Sequence, residues 1–152
     1  MIQEFRQIHN LEFDTLKTQG IIAIVDDDPN ILHALGTWLE LYGLRATSHT
    51  SAESLLQLIH RNNEKLTVSI GLFSPIEIPL LGAVLDINLP GISGIDLASS
   101  LRKLAPGLPV AIITALREEE RTHYGKLPLG IPILKKPFDL DALEDALRPM
   151  LN

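Results

Sequence analysis

At 152 residues, with 45% apolar and 21% charged side chains, the chain has the length and composition of one globular domain with a single core. Thirteen Lys and Arg against 19 Asp and Glu leave a net charge of −6, which works against direct binding to nucleic-acid phosphates, and the absence of cysteine excludes a disulfide framework and any thiolate metal site. The longest apolar stretch, residues 70–85, is interrupted by Pro75, Glu77 and Pro79, and the start of the chain lacks a basic segment followed by an apolar run. The expectation is a cytoplasmic protein with no membrane partner and no direct nucleic-acid partner.

Residues 1–19 form an N-terminal extension in which Ile2, Phe5, Ile8, Phe13 and Leu16 are spaced for a short amphipathic helix. The main domain is taken as residues 20–152. Ile21 to Val25 is a continuous, β-branched apolar run, the pattern of a strand buried on both faces of a parallel sheet. It stops at three aspartates. Asp28 then serves as N-cap and Pro29 as a first-turn residue for a helix whose Ile31, Leu35, Trp38 and Tyr42 recur on one face before Gly43.

Leu44 to His49 is a second predicted strand. Thr50 and Glu53 have capping-box spacing, and Leu55, Leu56 and Ile59 supply the apolar face of the helix they would open. Ala83 to Leu85 is a buried strand ending at Asp86. The turn Leu89-Pro90-Gly91 leads to Ser93, an N-cap for a helix over Gly94 to Leu104 that Pro106 and Gly107 end. Val110 to Ile113 is a strand ending at Thr114. A polar helix from about Arg117 to Tyr124 precedes a short strand, Ile131 to Leu134, followed by Lys135, Lys136 and Pro137. A last helix begins near Asp139, with Leu140, Leu143, Leu147 and Leu151 at three- and four-residue intervals.

Five strands alternating with five helices predict an α/β fold with a parallel sheet covered on both faces, and ligands in such sheets bind beyond the carboxyl ends of the strands. Those ends carry one chemical theme: Asp26 and Asp27, Asp86, Thr114 and Lys136. Three carboxylates brought together repel, and a hard cation relieves this; Mg²⁺ fits best, with Mn²⁺ as a substitute. Phosphoryl transfer needs a nucleophile and charge compensation on the phosphoryl oxygens. Asp86 is the candidate nucleophile. Asp27 is the direct metal ligand, Asp26 a ligand through water, and the backbone carbonyl of Asn88 a further oxygen donor. Lys136 and Thr114 are partners for the phosphoryl group. Taken singly, each aspartate reads as readily as a turn former or helix cap, and the threonine as an ordinary strand-end residue; the conjunction carries the signal. His9, His33, His49, His60 and His123 show no ligand spacing and receive no role.

The segments IVDDDP, LDINLPGISG, IITA and KKPF, in this order, resemble the receiver domain of two-component response regulators. The resemblance covers residue 20 to the end, and its functional positions fall on Asp26, Asp27, Asp86, Thr114 and Lys136. It implies a flavodoxin-like, doubly wound sheet of five parallel strands in the order 2-1-3-4-5. It also implies Mg²⁺-dependent transfer from a phosphohistidine of a sensor histidine kinase or phosphotransfer protein to Asp86, and altered binding to a downstream target. The first helix would meet the kinase near Ile31 to Leu35. A homodimer is compatible with it.

Two departures stand out, besides the N-terminal extension. The family's switch pairs the hydroxyl residue with an aromatic three before the lysine, and that position is Ile133. The stretch between the second helix and the third strand is also longer than usual by roughly a dozen residues, giving an insertion over about 63–82. There Leu66, Val68 and Ile70 alternate with Thr67 and Ser69, and Ile76 and Ile78 flank Glu77, so one or two short strands are expected.

Two alternatives remain at this level. Asp26 and Asp28 also match the Asp-x-Asp of a small haloacid-dehalogenase-type phosphohydrolase, with Asp26 as nucleophile, although this leaves Asp86 and the Leu-Pro-Gly turn without a role. A docking module that keeps the pocket without turnover is the other.

Overall fold

The computed structural model describes residues 19–63 and 65–151. The expected N-terminal helix lies outside them. In chain order the elements are β1 (Ile21–Val25), α1 (Pro29–Glu40), β2 (Ala46–His49), α2 (Ala52–Leu56), β3 (Ile59–Asn62), β4 (Lys65–Ile70), β5 (Ile76–Leu85), α3 (Gly94–Leu104), β6 (Val110–Thr114), α4 (Glu118–Arg121), a 3₁₀ turn (Thr122–Tyr124), β7 (Ile133–Lys135) and α5 (Leu140–Leu151).

β2, β1, β5, β6 and β7 lie side by side and all parallel, with Ile22 opposite Ala46, Ala23 opposite Ala83, Val84 opposite Ala111 and Ile113 opposite Leu134. Counting only these parallel strands, the order is the expected 2-1-3-4-5. The chain leaves β1 toward one edge and returns to its other side at β5, so the switch point falls between the ends of β1 and β5, where the crevice of such a sheet opens.

Strand alternation divides the core into two layers. Ile22 and Ile24 of β1, with Val84, Ala111 and Ile113, pack beneath Leu35, Trp38 and Leu39 of α1 and Leu143, Leu147 and Met150 of α5. Ala23 and Val25, with Ala83, Leu85 and Ile112, pack beneath Ala52 and Leu55 of α2 and Ala98 and Leu101 of α3. Every residue of β1 and β6 is buried, which explains why these strands read as continuous apolar runs.

Several expectations are corrected by the structure. Seven strands are present among the described residues, not five, because β3 and β4 form an antiparallel hairpin whose second strand pairs with the start of β5, Val68 opposite Ile78. Ile59, expected on a helix, opens β3; α2 has only five residues. Its cap is Ser51, whose hydroxyl accepts from the Ser54 N–H at 3.1 Å, and not Thr50. The short strands expected in the insertion are β4 and the first part of β5, whose ten residues run on without a break into the buried strand ending at Leu85. β2 and β7 start two residues later than expected, at Ala46 and Ile133. On α1 the buried positions are Leu32, Leu35, Trp38 and Leu39, with Tyr42 exposed; on α5 Met150 is buried and Leu140 exposed. Both helices are rotated slightly from the face that leucine spacing alone suggests. Asp28 and Ser93 cap α1 and α3 as expected, accepting from the N–H groups of Asn30 and Asp96.

Candidate functional site

β1, β5, β6 and β7 deliver their predicted residues to one place. Asp26 and Asp86 each follow the last residue of a central strand and are held there by backbone pairing. The Asp26 N–H donates to the carbonyl of His49 at 3.0 Å, and the Asp86 N–H to that of Val25 at 2.9 Å. Both carboxylates are buried, at 2% and 7% exposure, while Asp27 beside them is exposed. One oxygen from each of Asp26, Asp27 and Asp86 can be chosen so that all three lie within 4.8 Å of one another.

Lys136 reaches into this cluster from just beyond β7. Its Nζ donates to Asp26 Oδ2 at 2.7 Å and lies 3.5 Å from Asp86 Oδ2. The Lys136 N–H is fixed to the Thr114 carbonyl at 2.8 Å, and the Lys136–Pro137 peptide is cis. Lys135, by contrast, is exposed, as expected of one of two adjacent lysines.

The electrostatics follow from burial and proximity. Burial, reinforced by the Asp26 charge, holds the Asp86 pKa above the ordinary carboxylate value, with Lys136 pulling the other way. For Lys136, burial favours the neutral amine, but Asp26 and Asp86 outweigh it and keep the ammonium more basic than usual. Among the described residues, one cation thus faces three carboxylates. Hard oxygen donors in surplus negative charge, one of them open to solvent, are the donor set that a hydrated divalent ion takes.

Thr114 is buried at the end of β6, and its Oγ1 accepts from the Leu116 N–H at 3.0 Å. Ile133 is 42% exposed and lines one cavity with Thr114. Asn88, two residues beyond Asp86, lies on the exposed loop into α3, and its side-chain oxygen accepts from the Tyr124 hydroxyl at 3.2 Å. The loop is tight: the Gly94 N–H donates to the Ile87 carbonyl at 2.9 Å, and a Cβ at Gly94 would lie 1.8 Å from the Asp86 carbonyl oxygen.

Three further contributors were not legible in the sequence. Glu53, expected in a capping box, accepts from the Ile92 N–H at 2.8 Å across 39 residues of sequence. His49 is buried at the end of β2 between Thr47 and Ser54 hydroxyls, and its carbonyl anchors Asp26. Tyr124 contacts Asn88 across 36 residues. Only Glu53 carried any signal, and it pointed to the wrong partner.

An open parallel sheet with an acidic pocket and one ammonium at its switch point is the flavodoxin-like receiver fold. The family model for the response regulator receiver domain matches residues 82–148, which include Asp86, Thr114 and Lys136. The chain is 29% identical over 148 residues to the C4-dicarboxylate transport transcriptional regulatory protein DctD of Pseudomonas aeruginosa, covering 92% of this chain and 27% of that one. It is 29% identical over 139 residues to the transcriptional regulatory protein FixJ of Azorhizobium caulinodans, covering 86% and 54%. A CheY-like response regulator receiver domain protein from Methanospirillum hungatei superposes with a TM-score of 0.64 at 25% identity, covering 86% of this chain and 92% of that structure. Over residues 82–148 the chain matches the response regulator receiver domain family, and these relatives and this neighbour are response regulators or receiver domains. It spans between about a quarter and about half of the two curated relatives described here. The haloacid-dehalogenase alternative is not supported by these likenesses.

Proposed function

We propose that Asp86 is the phosphoacceptor of this receiver domain, taking a phosphoryl group from the phosphohistidine of a sensor histidine kinase or histidine phosphotransfer protein. One observation carries this reading: Asp86 sits at the switch point with Lys136 3.5 Å away and the oxygens of Asp26 and Asp27 within metal-sharing distance. In the reaction a carboxylate oxygen of Asp86 attacks phosphorus in line, the phosphorus–nitrogen bond breaks, and the imidazole leaves with the electron pair. Lys136 meets the negative charge on the phosphoryl oxygens. Thr114 offers its hydroxyl proton, which the bond accepted from the Leu116 N–H leaves free.

Mg²⁺, or Mn²⁺ in its place, would be held by Asp26, Asp27, Asp86 and the Asn88 carbonyl, and supplies charge neutralisation of the phosphoryl oxygens when bound. Residues 20–152 constitute the receiver domain, residues 1–19 an extension, and residues 63–82 an insertion. Phosphorylation alters binding to a downstream target, and a homodimer is one form that binding could take. The net charge of −6 favours a protein target over direct nucleic-acid contact. On α1, His33 and Ala34 are exposed between the buried Leu32 and Leu35 and are the proposed kinase contacts; unchanged phosphotransfer after their replacement would remove them from that role.

Acetyl phosphate with Mg²⁺ tests the central claim. Acylphosphate is expected on Asp86 and absent in Asp86→Asn. Label on Asp26 instead, or no label in a folded wild-type chain, would overturn it; the second result would leave a docking module.

A further inference from the structure

The pocket needs a route to the surface, and position 133 does not provide an aromatic one. Ile133 is half exposed, and a cavity of about 360 Å³ lined by Thr114, Leu116, Arg117, Ile133 and Lys135 lies beside the switch hydroxyl. From β7 the cavity is lined by the aliphatic Ile133 and by Lys135, and neither is aromatic.

A different aromatic residue does contact the site loop. Tyr124 closes the 3₁₀ turn after α4, where Gly125 with φ of +96° ends it. Its ring packs against the core layer under α2 and α3, and its hydroxyl donates to Asn88 Oδ1 at 3.2 Å. Asn88 is the residue whose carbonyl is proposed to meet the metal. The same loop is fastened at its far end, where the Glu53 carboxylate accepts from the Ile92 N–H at 2.8 Å. The loop is thus attached to α2 through the Ile92–Glu53 bond and to the 3₁₀ turn after α4 through the Tyr124–Asn88 bond.

We propose that Tyr124 is the positioning residue that couples the Asp86 pocket to the α4 segment, through its hydroxyl bond to Asn88, in the role that Ile133 cannot fill. This rests on Asp86 being the phosphoacceptor. When the pocket is loaded, the Asn88 segment adjusts to its new ligands, and the phenol carries that adjustment into residues 116–125.

The test is an amide NMR comparison of the full chain with and without beryllofluoride and Mg²⁺, in wild type, Tyr124→Phe and Ile133→Ala. In wild type, shift changes are expected around Asp86 and across residues 116–125. In Tyr124→Phe, which keeps the ring in the core, the changes around Asp86 persist and those across 116–125 are largely lost. Ile133→Ala keeps both. Retention of the 116–125 changes in Tyr124→Phe, or their loss in Ile133→Ala, overturns the proposal. No change around Asp86 in wild type would overturn the reading of the pocket itself, and this inference with it.

Discussion

Replacing Lys136 by methionine removes the one cation that the described residues bring to the pocket while keeping an apolar stem of similar length. In the native chain its ammonium lies 2.7 Å from Asp26 and 3.5 Å from Asp86, with 18% of the side chain exposed. Removing one partner from a buried ion cluster costs about 3–5 kcal/mol. The pocket opens toward solvent beside the exposed Asp27, so the low end applies, about 3 kcal/mol. For a chain of this size that lowers Tm by roughly 6–12 °C.

The pH dependence gives this prediction its specificity. The folded-state pKa of Asp86 is raised, so as pH climbs from the unfolded carboxylate value through the folded one, the native state holds a proton that the unfolded state has released, and stability falls. Lys136 opposes that rise, so its loss pushes Asp86 further up and deepens the fall. The raised pKa of Lys136 itself adds stability that is full below the ordinary lysine value and is lost only as pH rises through the folded one. The deficit of Lys136→Met should therefore be full near pH 7.5 and shrink toward pH 4, as Asp86 with its raised pKa takes up a proton. Scanning calorimetry in EDTA at both pH values measures it. An unchanged Tm at neutral pH, or an equal deficit at both, would refute the reasoning.

Mg²⁺ should raise Tm by binding only the native state, by about 2.7 kcal/mol at a hundred times Kd, and Asp27→Asn should remove most of that gain. Gly94→Ala should abolish Asp86 labelling and lower stability by about 1–3 kcal/mol, because the new methyl meets the backbone of Asp86 and Ile87, which cannot turn away. Burial lowers the His49 pKa to about 4, so from there to the ordinary value the unfolded state alone binds the proton and stability rises with pH; His49→Gln should flatten that rise, by up to about 3 kcal/mol in an acid urea titration. Ile78→Ala should cost about 2–5 kcal/mol in a urea melt, since Ile78 is fully buried with Leu66 and Val68; a cost near zero would mean that the hairpin is not part of the core.

The likeness between sequence and structure was greatest where local chemistry suffices. Continuous apolar runs fixed β1 and β6 because both faces of each strand are covered. Asp28 and Ser93 fixed two helix starts because capping is a contact over two or three residues. The pocket was legible because its members end successive strands, so naming the strands names the site. Alternation in the insertion predicted β4 and part of β5. It did not predict that Ile59 leaves the helix for β3, since an apolar residue at helical spacing serves a strand equally well when the neighbouring strand lies outside the window being read.

What the sequence alone determined is therefore the fold class and the cluster around Asp86, both set by periodicity and by residues at strand ends. Only the tertiary structure decided how the pocket is held and where it leads. The bonds between Ile92 and Glu53, Asp26 and His49, and Tyr124 and Asn88 join residues far apart in the chain, and the local sequence bears no mark of the partner each one meets. A contact between distant segments depends on the distance and angle at which the sheet sets its helices and loops, and that geometry exists only once the core has packed.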